Sequence, residues 1–220
     1  MDETLGARVL VQLRTQLITG RLAPGDKLSL RTLAQQSGVS MQPVRDAIAR
    51  LVAERALEVT PKRSVQVALM SLPQFRELTT IRQAIEGFAA ERAALQRGGS
   101  QLKAMRGFEA AFRRESRRRT PDVDAAIVAN AKLHFAVYGA AGMPALVAII
   151  EGLWLRIGPV LNLDLRDGEN RLRSGVAARC HASLLTAIET GDAPAARAAL
   201  QEDIGSTAAF IEARGVLPDE

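Results

Sequence analysis

Hydrophobic positions along this chain fall into two regimes. From residue 5 to 67 they come in short sets separated by turn residues, and beyond residue 72 they recur at helical spacing with almost no strand signal. Leu5, Val9, Leu10, Leu13, Leu17 and Ile18 make one face of a first helix, which Gly20 and then Pro24-Gly25 end. Leu30, Leu33 and Ala34 make a second that stops at Gly38, where the missing Cβ suits a sharp reversal between helices. Val39 turns inward as a plug, Ser40 stands as an N-cap, and Pro43 falls in a first turn, where proline loses little hydrogen bonding. Val44, Ile48 and Leu51 supply the inner face of this third helix, leaving Met41, Gln42, Arg45, Asp46 and Ala49 outside. Leu57 to Val59 and Val65 to Val67 then flank Thr60-Pro61-Lys62-Arg63-Ser64 as a hairpin. Two helices around a tight turn, followed by a basic hairpin, predict a winged helix-turn-helix.

Met70 to Pro73 marks the expected join, giving a DNA-binding domain over 1–70 and an all-helical domain over 71–220. Breaks at Gly98-Gly99-Ser100, Arg119-Thr120-Pro121, Gly142-Met143-Pro144, Asp164 to Asp167 and Gly191-Asp192 predict six helices. They run near 73–96, 101–118, 122–140, 144–160, 168–190 and 193–213. The fold class is therefore mostly α: an N-terminal winged helix-turn-helix followed by an all-helical antiparallel bundle.

Composition sharpens this picture at a few points. A length of 220 residues with 47% hydrophobic content supports packed cores and argues against disorder. The formal charge is +5, and residues 1–70 hold 10 Lys/Arg against 6 Asp/Glu, so the excess sits largely in the reader domain. Cys180 is the one cysteine, which excludes an intrachain disulfide and reads as a core residue. No 18-residue apolar run is apparent, and Asp2 and Glu3 stand where a secretion signal is basic, so a cytoplasmic protein without a membrane partner is expected. The run Arg113, Arg114, Arg117, Arg118 and Arg119 reads as a solvated helix end.

Candidate chemistry follows from placement. The first turn of a recognition helix brings unpaired backbone N–H groups toward phosphate, and Gln42 and Arg45 reach phosphate or base edges. Met41 offers apolar contact, while Arg31, Lys62 and Arg63 supply cations for the DNA backbone. The plainer alternative is that these charges only solvate a small helical domain. Two histidines are present, His134 and His181, each inside a predicted helix. Asn130 lies four residues before His134, and Asp203 follows on the last helix. Convergence of the four would give two imidazole nitrogens and two oxygens, a set for zinc, nickel or manganese, whereas spacing alone favours two unrelated core histidines. No HExxH, no activated nucleophile constellation and no glycine-rich phosphate loop supports an enzyme, so a metal-dependent hydrolase is a remote alternative.

Pro24-Gly25, Leu28, Leu33-Ala34, Gly38-Val39-Ser40, Pro43-Val44-Arg45, Ala47-Ile48, Leu51 and Val67 together resemble the N-terminal domain of the GntR family of bacterial transcription regulators. The resemblance implies DNA contacts from Arg31, Ser40, Met41, Gln42, Arg45 and the wing. Three departures stand out: Met41 replaces a usual arginine, and Arg55 and Ser64 replace usual glycines, which removes a cationic contact and leaves two turns without glycine's freedom. Residues 73–213 resemble the FCD effector domain of the FadR-like subfamily, through Asn130, Leu133-His134, Val137, Ala141 and Leu146, then His181, Ala187, Gly191-Asp192 and Ala196. It implies metal ligation by Asn130, His134, His181 and Asp203, the last standing where the family has histidine. It also implies an effector cavity reached by Arg82, Glu86, His134 and His181, and a small organic acid such as a sugar acid or hydroxy acid as ligand. No organic cofactor is implied. The expected function is a ligand-responsive repressor that binds double-stranded DNA at a pseudo-palindromic operator as a homodimer. The alternative is a DNA-binding protein whose helical domain only dimerises.

Overall fold

The computed structural model describes residues 5–162 and 170–219. They divide into two compact units, one drawn from residues 5–70 with 154–162, the other from 71–153 with 170–219.

The first unit opens with α1 (Leu5–Ile18), whose Val9, Leu13 and Leu17 are buried, and β1 (Lys27–Leu28) follows. α2 (Leu30–Ser37) starts at Ser29, whose side chain accepts from the Thr32 N–H, and ends at Gly38 in the left-handed region, φ +64°. That conformation suits glycine and turns the chain directly into α3 (Met41–Ala53). Val44, Ala47, Ile48 and Leu51 of α3 are buried in one cluster with the α1 residues, so the helix presents its polar face outward. β2 (Leu57–Val59) and β3 (Val65–Val67) form the wing, antiparallel with Glu58 opposite Gln66. β1 adds a third strand on the other side of β3, Leu28 opposite Val65, an element too short to leave a hydrophobic period in the sequence.

Both turns that lack the expected glycine still take left-handed backbone. Arg55 sits at φ +59°, and at the wing tip Arg63, rather than Ser64, sits at φ +60°. Ser64 serves the turn by another route: its N–H donates to Thr60 Oγ1 at 3.2 Å and the two hydroxyls lie 2.7 Å apart.

The second unit is helical throughout the described residues: α4 (Leu72–Gln96), α5 (Gly99–Arg117), α6 (Val123–Ala140), α8 (Asn170–Arg173), α9 (Val176–Thr190) and α10 (Ala193–Ala213), with the first turns of α7 (Pro144–Leu161). α10 packs along α4 and α9, and α5 packs along α6. Alanines at the contacts, Ala89, Ala90, Ala93 and Ala94 on α4 and Ala196 and Ala199 on α10, are buried and allow close helix approach. The fifth expected helix is two: Gly175, at φ +68°, separates α8 from α9. The break expected at Asp164 to Asp167 lies outside the described residues.

One sequence expectation is corrected in α7. Its 18 residues have a mean hydropathy of 1.5, enough by length and composition for a membrane span. Glu151 and Arg156 interrupt the run to the eye, yet the mean stays high with both included. From Trp154 onward the helix belongs to the first unit, where Leu155 joins the α1–α3 core and Ile157 and Val160 are buried. Gly158 makes that packing possible, because a Cβ there would lie 2.5 Å from the Leu17 carbonyl oxygen and 2.9 Å from Ile18 Cα.

Candidate functional site

Two groups of side chains have the chemistry to do work, one in each unit. In the first unit Ser40, Met41, Gln42 and Arg45 are all exposed on the N-terminal turns of α3. Ser40 occupies the N-cap position with no side-chain capping bond, so its hydroxyl and the first-turn N–H groups face outward together. Gln42 Nε2 donates to Asp46 Oδ1 at 2.9 Å, which holds the amide along the helix surface near Arg45. Arg31 is exposed in the first turn of α2, and Lys62 and Arg63 are exposed at the wing tip. Every residue expected at a DNA face is thus on the surface, with the exposed Asp46 carboxylate beside Gln42.

The second group is buried. α4 contributes Arg82 and Glu86, one turn apart, α6 contributes His134 and Tyr138, α9 contributes His181, and α10 contributes Asp203. Arg82 Nε and Nη2 donate to the two Glu86 oxygens at 2.6 and 3.2 Å. The guanidinium fork that the sequence reading offered to an effector is therefore engaged by an internal carboxylate. Tyr138 donates its hydroxyl hydrogen to Glu86 Oε2, and its oxygen lies 2.9 Å from His134 Nδ1. His134 Nε2 is 3.3 Å from Asp203 Oδ2, and His181 Nε2 is 3.6 Å from Asp203 Oδ1. The two imidazole rings meet edge to face with centroids 5.4 Å apart, and Phe112 of α5 packs against His181 at 4.6 Å.

Burial disfavours charge on Asp203, and the facing His181 and His134 outweigh it, holding the carboxyl well below the usual carboxylate range. Burial likewise opposes the Arg82 charge, and Glu86 more than restores it. Burial also pushes the Cys180 thiol, next to His181 in sequence, up to about 11, so it stays protonated at neutral pH.

The ligand-type atoms of His134, His181 and Asp203 all lie within 4.8 Å of one another. Both His181 ring nitrogens and Asp203 Oδ1 are buried without a hydrogen-bond partner. An unpartnered imidazole nitrogen beside an unpartnered carboxylate oxygen fits a cation, and two imidazoles with one carboxylate suit a borderline divalent metal. Asn130, the fourth expected ligand, stands one turn before His134 on α6 and is half-buried. Phe112 is the member sequence reasoning did not place: it comes from a separate helix and left no signal, whereas Tyr138, an amphipathic aromatic the sequence offered as a cavity residue, stands four residues after His134 on one helix.

The arginine run on α5 has its own structural employment. Arg114 and Arg118 pair with the buried Glu115, and Arg113 lies 3.4 Å from the buried Glu109.

Residues 5–67 match the gntR family of bacterial regulatory proteins, and residues 77–206 match the FCD domain. The HTH-type transcriptional regulator McbR of Escherichia coli (strain K12) is 33% identical over 159 residues, which is 72% of this chain and 71% of that protein. The solved structure of E. coli McbR/YncC aligns with a TM-score of 0.87 at 29% identity, covering 96% of this chain and 99% of that one. A GntR structure from Rhodococcus sp. RHA1 shares the fold, with a TM-score of 0.75 at 20% identity over 94% and 97% of the two chains. With an exposed polar face on the third helix of a winged helix-turn-helix and a polar cluster inside a helical unit, this chain belongs to the GntR family of bacterial regulatory proteins and is a transcription regulator with an FCD domain, not an enzyme.

Proposed function

We propose that this regulator is a repressor that binds a pseudo-palindromic operator as a homodimer and releases it in response to a small organic acid. The observation that carries the DNA half is the outward display of Ser40, Met41, Gln42 and Arg45 on α3 while Val44, Ala47, Ile48 and Leu51 are buried beneath them. Arg45 and Gln42 read base edges in the major groove, and Arg31, Lys62 and Arg63 neutralise phosphates on either side. An exposed apolar stripe at seven-residue spacing on α4, Ile81, Phe88 and Leu95, supports a second copy as partner.

In the helical unit, His134, His181 and Asp203 hold a divalent metal, zinc, nickel or manganese, with Asn130 as the fourth ligand. When bound, such an ion supplies positive charge to which the carboxylate of an organic acid attaches. Arg82 and Glu86 fix the floor of this site, and the triad ties α6, α9 and α10 together. Effector binding therefore acts on the packing of these helices, and it changes operator affinity to the extent that it prefers one packing over another. A helical unit that only dimerised would leave the buried, unpartnered atoms of His181 and Asp203 without a role.

Selection of bound duplexes from a random pool, with and without an organic-acid panel and added Zn²⁺, tests both halves. Arg45→Ala is expected to lose 10-fold or more in operator affinity, about 1–3 kcal/mol for a bidentate base contact, with the fold intact. Unchanged affinity removes this face from DNA recognition. His134→Ala is expected to keep DNA binding and lose the acid response, and a retained dose response removes the cluster from sensing.

A further inference from the structure

Gln42 and Asp46 are exposed one helical turn apart on α3, beside the exposed Arg45, and Gln42 Nε2 donates to Asp46 Oδ1 at 2.9 Å. An ionised carboxylate only accepts hydrogen bonds, so it pairs with the nitrogen end of the amide and not with the oxygen end. The contact therefore gives the Gln42 side chain a fixed sense. One of its two amide hydrogens is committed to Asp46, and the carbonyl oxygen and one N–H remain for a partner.

The four bases answer that remaining pair differently. In the major groove adenine sets the N6 donor beside the N7 acceptor, guanine shows two acceptors, N7 and O6, cytosine one donor, and thymine one acceptor beside its methyl group. One acceptor with one donor matches adenine. Against guanine the carbonyl oxygen meets another acceptor, and the amide relieves this only by turning its nitrogen away from Asp46. We propose that Asp46 is a positioning residue for DNA reading: by holding Gln42 Nε2 it sets the amide to select adenine and to reject guanine at one base position of each half-site. The statement rests on the reading above that this face of α3 enters the major groove, and it adds the base that Gln42 selects and the side chain that makes it selective. Selectivity gained this way lowers total affinity, since a carboxylate on the DNA face repels phosphate. A purely structural pair at this spacing would add slightly to helix stability and leave base preference alone.

The test is selection of duplexes from a random pool by the full chain, followed by competition between the selected duplex and versions with one base pair changed. It is run on the parent, Gln42→Ala, Asp46→Ala and Arg45→Ala. All three positions are exposed, so the variants are expected to fold as the parent does, which circular dichroism checks. The position read by Gln42 is the one whose preference disappears in Gln42→Ala. It is expected to be adenine, favoured over guanine by about 5–150-fold in the parent, the range for a bidentate base contact. Asp46→Ala, which frees the amide to turn, is expected to lose most of that ratio while binding the selected duplex as tightly as the parent or more tightly. An undiminished adenine-to-guanine ratio in Asp46→Ala overturns the proposal, as does loss of binding to every duplex by the folded variant. A base other than adenine at the Gln42 position, or no preference removed by Gln42→Ala, overturns it as well. In each of these cases a weakened Arg45→Ala leaves the DNA face standing, whereas an Arg45→Ala protein that binds as the parent does removes the face and this inference together.

Discussion

Replacing Glu86 by glutamine keeps the side-chain shape and removes the carboxylate charge paired with Arg82 at 2.6 Å. The Arg82 side chain is 4% exposed and that of Glu86 0%, so neither charge has water as a substitute partner. Two hydrogen bonds from Arg82 and one from Tyr138 end on this carboxylate. Removing one partner of a buried pair costs about 3–5 kcal/mol, because the remaining charge is left uncompensated. Asp203 also favours the Arg82 charge, so the lower end, about 3 kcal/mol, applies here. For a chain of this size that lowers the thermal midpoint by roughly 6–12 °C. The assay is far-UV circular dichroism on heating, in chelator, with Glu86→Gln, Arg82→Met and the double variant Arg82→Met/Glu86→Leu. The double variant is expected to recover much of the loss, since apolar groups of similar volume replace a buried pair at little cost. A loss under about 1 kcal/mol for Glu86→Gln, or a double variant no better than the singles, refutes the claim that this pair is a closed electrostatic unit.

How far the sequence led differs between the two units for physical reasons. The reader domain was legible because its signals are local: Gly38 permits a left-handed turn, Pro43 tolerates a first helical turn, and Val44, Ile48 and Leu51 repeat with the helix period. β1 was not legible, since two residues carry no alternation and their pairing with Gln66 and Val65 is set by tertiary packing. The positive φ at Arg63 instead of Ser64 was also beyond the sequence, because either residue can take the strain and the Thr60–Ser64 hydroxyl bridge decides which. In the helical unit the pair Arg82 and Glu86 was visible as an i, i+4 spacing, but its closure on itself was not. The convergence of His134, His181 and Asp203 needed three helices packed in register, which the family resemblance suggested and spacing could not. The split of the fifth helix at Gly175 was missed because one glycine in a helical pattern is commonly tolerated.

Three further substitutions test local physics. Arg55→Gly is expected to stabilise the protein by about 1 kcal/mol in a urea titration, since glycine holds φ +59° without a Cβ clash and Arg55 is exposed; no gain, or a loss, means that the turn is not strained. Gly158→Ala is expected to cost about 1–3 kcal/mol by the same measurement, because the new methyl meets the backbone of Leu17 and Ile18 rather than a side chain that can move; a neutral result shows that α7 and α1 are not in close backbone contact. Glu115→Gln tests a pH dependence. The Asp122 N–H at 3.1 Å, and after it Arg118 at 2.9 Å and Arg114 at 3.2 Å, hold the Glu115 carboxyl below its ordinary range against the effect of burial. A carboxyl depressed in the folded state stabilises it fully above the unfolded pKa, about 4.3, and loses that contribution as pH falls through the lower folded value. The variant is therefore expected to be less stable than the parent at pH 7, with the difference narrowing below about pH 4 as the parent is protonated. Glutamine keeps one oxygen for the Asp122 N–H, so what narrows is the charge-dependent part of the gap; a difference that stays constant from pH 7 to pH 3 shows that Glu115 contributes shape and hydrogen bonding but not charge.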